Sequence, residues 1–143
     1  MAVNEPLHLE ETEVVRRSRW PWQLFRVMVL LELLSLLLQT VTAGQLLGRG
    51  TLGSLHGAGA TFVHLFALLL VVAAILLFRP GRGPAWPIAA AAVILVGGMV
   101  QSALGGGGTI MVHVPLGVSL IVITTWLLFR PGSPAPLIAR AGG

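Results

Sequence analysis

The chain has 143 residues, 55% hydrophobic and only 10% charged, and its mean hydropathy of +0.89 fits one membrane domain better than a globular core. Its net charge of +4 comes from nine Arg and no Lys against five Glu and no Asp; the arginines sit at the ends of apolar runs, not on a polar face with stacking aromatics, which excludes nucleic acid as a partner. The absence of Cys excludes a disulfide, an iron–sulfur cluster and a covalently attached haem, and the absence of Lys excludes a Schiff base.

Residues 1–20 read as a cytoplasmic tail, acidic at Glu5, Glu10, Glu11 and Glu13 and then basic at Arg16, Arg17 and Arg19, with no role for His8. The first helix is predicted over about 21–47, with Pro21 tolerated in its first turn. The run is too long for the apolar part of a signal peptide, although Val41-Thr42-Ala43 loosely resembles a cleavage site. Glu32, Ser35, Gln39 and Thr42 are spaced i, i+3, i+7 and i+10, which puts a polar stripe on one helix face. A loop carrying Arg49 leads to a second helix at about 55–78, stopped by Arg79-Pro80-Gly81-Arg82-Gly83-Pro84. The third helix, about 85–104, contains Gly97-Gly98, where a neighbour can approach closely. After the turn Gly105–Gly108 comes the fourth helix, about 109–129, and then residues 131–143, read from their Pro, Gly and Ala content as a disordered cytoplasmic tail. Each apolar run is long enough to cross a bilayer, which takes roughly 20 residues. The expected fold is all-α: an integral membrane four-helix bundle over 21–130.

Charge orients it. Arg16, Arg17, Arg19, Arg26, Arg79, Arg82, Arg130 and Arg140 fall on one side of the four spans and only Arg49 on the other, so the positive-inside rule places both termini in the cytoplasm. Trp20, Trp22, Trp86 and Trp126 occupy helix ends on the same side, as an interfacial belt would. The Ala, Gly, Leu and Arg content fits a high-GC bacterial genome and thus a cytoplasmic (inner) membrane.

The chain also repeats itself. Helix 1 ends Gln39-Thr40-Val41-Thr42-Ala43-Gly44 and helix 3 ends Gln101-Ser102-Ala103-Leu104-Gly105; each precedes a His-bearing apolar helix that closes in Phe-Arg-Pro-Gly. The unit is a two-helix hairpin used twice, as parallel repeats about an axis along the membrane normal. Counted at about 1.5 Å per residue from the Trp- and Phe-bearing ends, Gln39, His64, Gln101 and His113 fall within about one helical turn in depth. His56 lies about 9 Å above His113 on the same count, and about 80° around the helix from His64. Gly57 and Gly117 remove side-chain bulk near the histidines, where a flat cofactor or a second backbone would approach.

Two imidazoles at one depth on helices 2 and 4 suit a b-type haem, so His64 and His113 are the expected axial ligands. His56 with His113 is the other pairing; it matches the repeat better and the depth count worse. Gln39 and Gln101 would hold a ligand ring's free N–H or a haem propionate. Against this stands a polar layer whose His and Gln side chains only hydrogen-bond across the bundle. A closed zinc site is a poor fit without Cys or a nearby outer carboxylate. Glu32, the only acid in a span, reads first as a protonated, hydrogen-bonded carboxyl inside the bundle and second as a proton or cation relay.

Gln39, Gly44 and His56, then Gln101, Gly105, His113 and Gly117, resemble a family of small four-helix bacterial membrane proteins with duplicated Gln…Gly…His hairpins. More distantly they resemble the four-helix units of cytochrome b561-type proteins and haem A synthase. The likeness spans residues 30–130 through short motifs. The chain lacks the second level histidine pair of the b561 pattern and the acidic histidine-flanking motif of haem A synthase. The resemblance implies haem b and electron transfer with a quinone or a membrane redox partner. The expected role is thus an electron carrier rather than a stand-alone enzyme; a non-catalytic accessory subunit is the alternative, and a homo-oligomer stays open.

Overall fold

The computed structural model describes residues 19–106 and 108–130. The expected tails, apart from Arg19 and Trp20, and Gly107 of the glycine turn lie outside the described residues. Among the described residues there are four α-helices and no strand: α1 Trp20–Arg49, α2 Gly53–Phe78, α3 Trp86–Gly106 and α4 Ile110–Phe129. All four are long and apolar enough to cross a membrane.

Local chemistry sets the helix ends. Pro21 occupies the first turn of α1, where its missing N–H costs nothing. That helix stops at Gly50, whose φ of 66° is the left-handed conformation that glycine adopts freely. The Gly50 N–H then donates to the Leu46 carbonyl and the Thr51 N–H to the Gln45 carbonyl. At the far end of α2, the N–H groups of Gly81 and Gly83 donate to the carbonyls of Leu76 (3.0 Å) and Leu77 (2.8 Å). A Cβ at Gly81 would sit 2.5 Å from the Leu77 carbonyl oxygen, a backbone atom that cannot move aside alone. Gly81→Ala is therefore expected to cost about 1–3 kcal/mol. Thermal unfolding in detergent checks this against Gly48→Ala, where a Cβ meets nothing within 4 Å.

Connectors this short force chain neighbours to run antiparallel. The helices touch as a closed ring, α1 on α2, α2 on α3, α3 on α4 and α4 on α1, so α2 and α4 face each other across the diagonal. The glycines of α3 serve both of its neighbours: a Cβ at Gly97 would meet Leu120 of α4 at 2.7 Å, and one at Gly98 would lie against His64 and Val63 of α2. A large apolar cluster built on Phe25, Val29, Ala67, Leu70, Ala74, Leu77, Ala91, Ile94 and Leu127 fills the bundle toward its arginine-bearing end. A second, smaller one holds Leu36, Val63 and Leu120.

The surface is inverted relative to a water-soluble bundle. Leu38 is 62% exposed and Val122 61%, while Glu32 and Thr124 are fully buried. A helix apolar on all sides, with polar groups turned inward, has its exterior solvated by lipid. Arg49 stands at one end; the other described arginines, Arg19, Arg26, Arg79, Arg82 and Arg130, lie toward the opposite end with the tryptophans. There the Arg130 guanidinium stacks 4.3 Å from the Trp126 ring centroid and 5.4 Å from that of Trp86, a cation–π arrangement suited to the headgroup level.

Candidate functional site

The polar side chains of the bundle interior collect near the end opposite the arginines, where α1 ends and α2 begins. The α1 stripe faces inward: Ser35 and Thr42 are buried and Gln39 is half-buried. Gln39 Nε2 donates to the His56 backbone carbonyl at 3.0 Å, and the Gln39 amide lies where a Cβ at Gly59 would be. His56 Nδ1 is 3.0 Å from the Thr42 hydroxyl, which in turn is within reach of Gln39 Oε1 and the Gln39 and Leu38 carbonyls. The hydroxyl has a single proton to give; when one of those oxygens takes it, the hydroxyl oxygen is free to accept an Nδ1–H of His56.

His113 is held from α3. Its Nδ1 is 2.8 Å from the Gln101 backbone carbonyl, which can only accept, so Nδ1 carries the proton and Nε2 keeps its lone pair. The ring lies over Gly105, where a Cβ would be 2.8 Å from Cε1. The Gln101 side chain crosses to α4, its amide filling the space above Gly117, and its Oε1 is buried with no hydrogen-bond partner.

His56 and His113 meet across the diagonal, with ring centroids 6.4 Å apart and planes at 68°. Both are the fourth residue of their helix, and both donate their backbone N–H to the residue before the helix, Leu52 or Thr109. Neither Nε2 has a hydrogen-bond partner among the described residues.

His64 is placed differently. Its Nε2 lies 3.2 Å from the Gly98 carbonyl and 3.1 Å from the Ser102 hydroxyl, both on α3. With a carbonyl as one partner, Nε2 carries the proton, the opposite tautomer to His113. The expected His64–His113 pair is therefore not what the fold brings together; His56 and His113 are. Counting depth from the C-terminal ends assumed that α2 and α4 finish level. Instead they start level, and the six extra residues of α2, about 9 Å, are all at its other end.

The remaining expected site residues separate. Gln39 and Gln101 do lie beside the His56–His113 pair, but neither amide meets a ring nitrogen; Thr42 and the Gln101 backbone carbonyl do. Gly117 makes room for the Gln101 amide rather than for a histidine, and Gly57 is exposed with open space beside it. Gly59, Ser102 and the contact of Gly105 with His113 are additions that the sequence did not single out. Comparison with family models, with curated proteins and with solved structures gave no match to this chain. The geometry must therefore speak for itself.

It sets the following limits. Among the described residues no three His, Asp or Glu side chains converge. Two imidazoles alone do not complete a zinc site, which takes four ligands. They do suit a metal that brings its remaining ligands with it, as a porphyrin supplies four nitrogens to iron. The two rings lie with centroids 6.4 Å apart and planes at 68°, and each leaves its Nε2 without a hydrogen-bond partner among the described residues. Fixing one ring nitrogen by a hydrogen bond while the other stays basic is the usual preparation of a histidine ligand. On these grounds the residues present fit a b-type haem.

Proposed function

We propose that the protein is a small haem-binding membrane protein that carries electrons, in which His56 of α2 and His113 of α4 would hold the haem. The observation that carries this reading is the pair of facing imidazoles with both Nδ1 atoms engaged and both Nε2 atoms unpartnered. Haem b would supply one-electron redox chemistry; the chain supplies its position and surroundings. Thr42 and the Gln101 carbonyl orient the two rings and raise their basicity by accepting the Nδ1 protons. Gln39 braces Thr42 from behind, and the outward Leu and Val side chains keep water from the flanks. The partner of such a carrier is a quinone or a membrane redox protein.

Two further parts of the proposal concern assembly. The bundle is two copies of one hairpin, supported by the shared fourth-residue register of His56 and His113 and by a glutamine of the preceding helix lying on a glycine of the next in each half, Gln39 on Gly59 and Gln101 on Gly117. It sits in a bacterial cytoplasmic membrane with the arginine-bearing end inward, supported by the charge asymmetry and the Arg130–Trp126 stack. Electron exchange by the ligand pair then takes place in the outer half of the bilayer.

The reading of the polar layer as hydrogen-bonding glue is supported by the bonds that join α1 to α2 and α3 to α4, and most of all at His64. His64, tied to Gly98 and Ser102, joins α2 to α3 and needs no cofactor. The test of the proposal is haem loading of the whole protein. Purified chain titrated with haemin is expected to bind one equivalent and, on reduction with dithionite, to show a sharp low-spin b-type α-band. A well-folded chain that stays colourless overturns the proposal in favour of an accessory role.

A further inference from the structure

Glu32 stands apart from the ligand pair and is the one carboxyl among the described residues. It is fully buried, and neither carboxyl oxygen has a hydrogen-bond partner. The Ser35 hydroxyl donates to the Glu32 backbone carbonyl at 2.8 Å. The sequence suggested a protonated, hydrogen-bonded carboxyl inside the bundle; among the described residues neither carboxyl oxygen has such a partner. A buried acid without a partner is costly in either form, and a leucine would pack there without the penalty. A carboxyl in that place calls for a role.

Its position says what that role is. On α1, Glu32 lies between Val29 of the large apolar cluster and Leu36 of the small one. On α4, fully buried Thr124 lies in the same gap between Leu120 and Leu127, with its hydroxyl tied to the Leu120 carbonyl. Toward the arginine end the core is apolar throughout: Phe25, Val29, Leu70, Ala74, Leu77, Ala91 and Leu127. Toward the other end only Leu36, Val63 and Leu120 form a cluster, and the inward face of α1 continues as Ser35, Gln39 and Thr42, ending at His56.

We propose that Glu32 is a proton-binding site inside the bundle, reached along Ser35, Gln39 and Thr42 from the His56 end and sealed from the arginine-bearing end. The step is Glu–COO⁻ + H₃O⁺ ⇌ Glu–COOH + H₂O, in which only O–H bonds are made and broken. The charged and titratable groups on the helices packed against α1 are His56, His64 and Arg79 on α2, and His113 and Arg130 on α4. His56 is bonded to Thr42, His64 to α3 and His113 to Gln101, while the two arginines cap helix ends. None of them bonds Glu32, so its proton is exchanged with water rather than shared with a fixed partner.

The test is infrared spectroscopy of the full chain in lipid vesicles without haem, so that its outcome is independent of cofactor binding. The spectrum is expected to contain a carboxylic-acid C=O band that Glu32→Gln removes and Glu32→Asp retains at a shifted frequency. Transfer into D₂O should shift the band at a measurable rate. Ser35→Ala should slow that exchange by about tenfold, while Phe25→Leu in the apolar plug should leave it unchanged. The proposal is overturned if no acid band depends on Glu32, if Ser35→Ala exchanges as fast as the parent, or if Phe25→Leu alters the rate as much.

Discussion

His56→Ala and His113→Ala are each expected to abolish the low-spin α-band of the haem-loaded chain, whereas His64→Ala keeps most of it. Loss of an outer-shell partner of a ligand typically costs about 10–100-fold in affinity, and loss of a ligand itself should exceed that. The measurement is a haemin titration with reduced-minus-oxidised spectra of the three variants, with helical content by circular dichroism as the check on folding. The contrast between His64 and His56 matters most, because both lie on α2 and both are half-buried. Eight residues separate them, a turn of about 80°, which carries the side chain from the α1 side of α2 to the α3 side. His56 accordingly meets Thr42 of α1 and His64 meets Gly98 and Ser102 of α3. If His64→Ala loses the band and His56→Ala keeps it, the ligand pair is misassigned.

The same two histidines show where a sequence is legible and where it is not. Four spans were readable because each apolar run is bounded by Gly, Pro or Arg, and the helix ends found, such as Gly50 and Phe78–Arg79, are where that chemistry falls. The inward α1 stripe was readable because polar side chains at helical spacing in lipid have only the bundle interior to face. The meeting of His56 with His113 was not, because depth depends on which helix ends are level, and that is decided by packing around the ring of four helices. Counting from the helix starts, where His56 and His113 share a register, would have placed these two rings together. Gly59 and Ser102 were hidden for a different reason: a glycine under an amide or a serine beside a ring has meaning only once the neighbouring helix is placed.

Gly105→Ala is expected to disrupt the ligand pair, while the matching change in the first hairpin, Gly44→Ala, is tolerated. The two glycines occupy corresponding places in the Gln…Gly…His pattern, and sequence alone makes them equal. Their surroundings are unequal. A Cβ at Gly105 would lie 2.8 Å from His113 Cε1 and 2.9 Å from Nδ1, so the ring must leave the Gln101 carbonyl to make room. A Cβ at Gly44 meets nothing within 4 Å. Inside a helix, replacing glycine by alanine there should stabilise by about 0.5–1 kcal/mol. Gly105→Ala carries the same backbone benefit, so the chain stays folded while His113 loses the bond that fixes its tautomer. Haem affinity should then fall by about 10–100-fold with thermal stability nearly unchanged, and Gly44→Ala should show the reverse, unchanged affinity and a small gain in stability. Equal haem affinities in the two variants would mean that the pattern of glycines, rather than the seat of His113 against α3, is what the site requires.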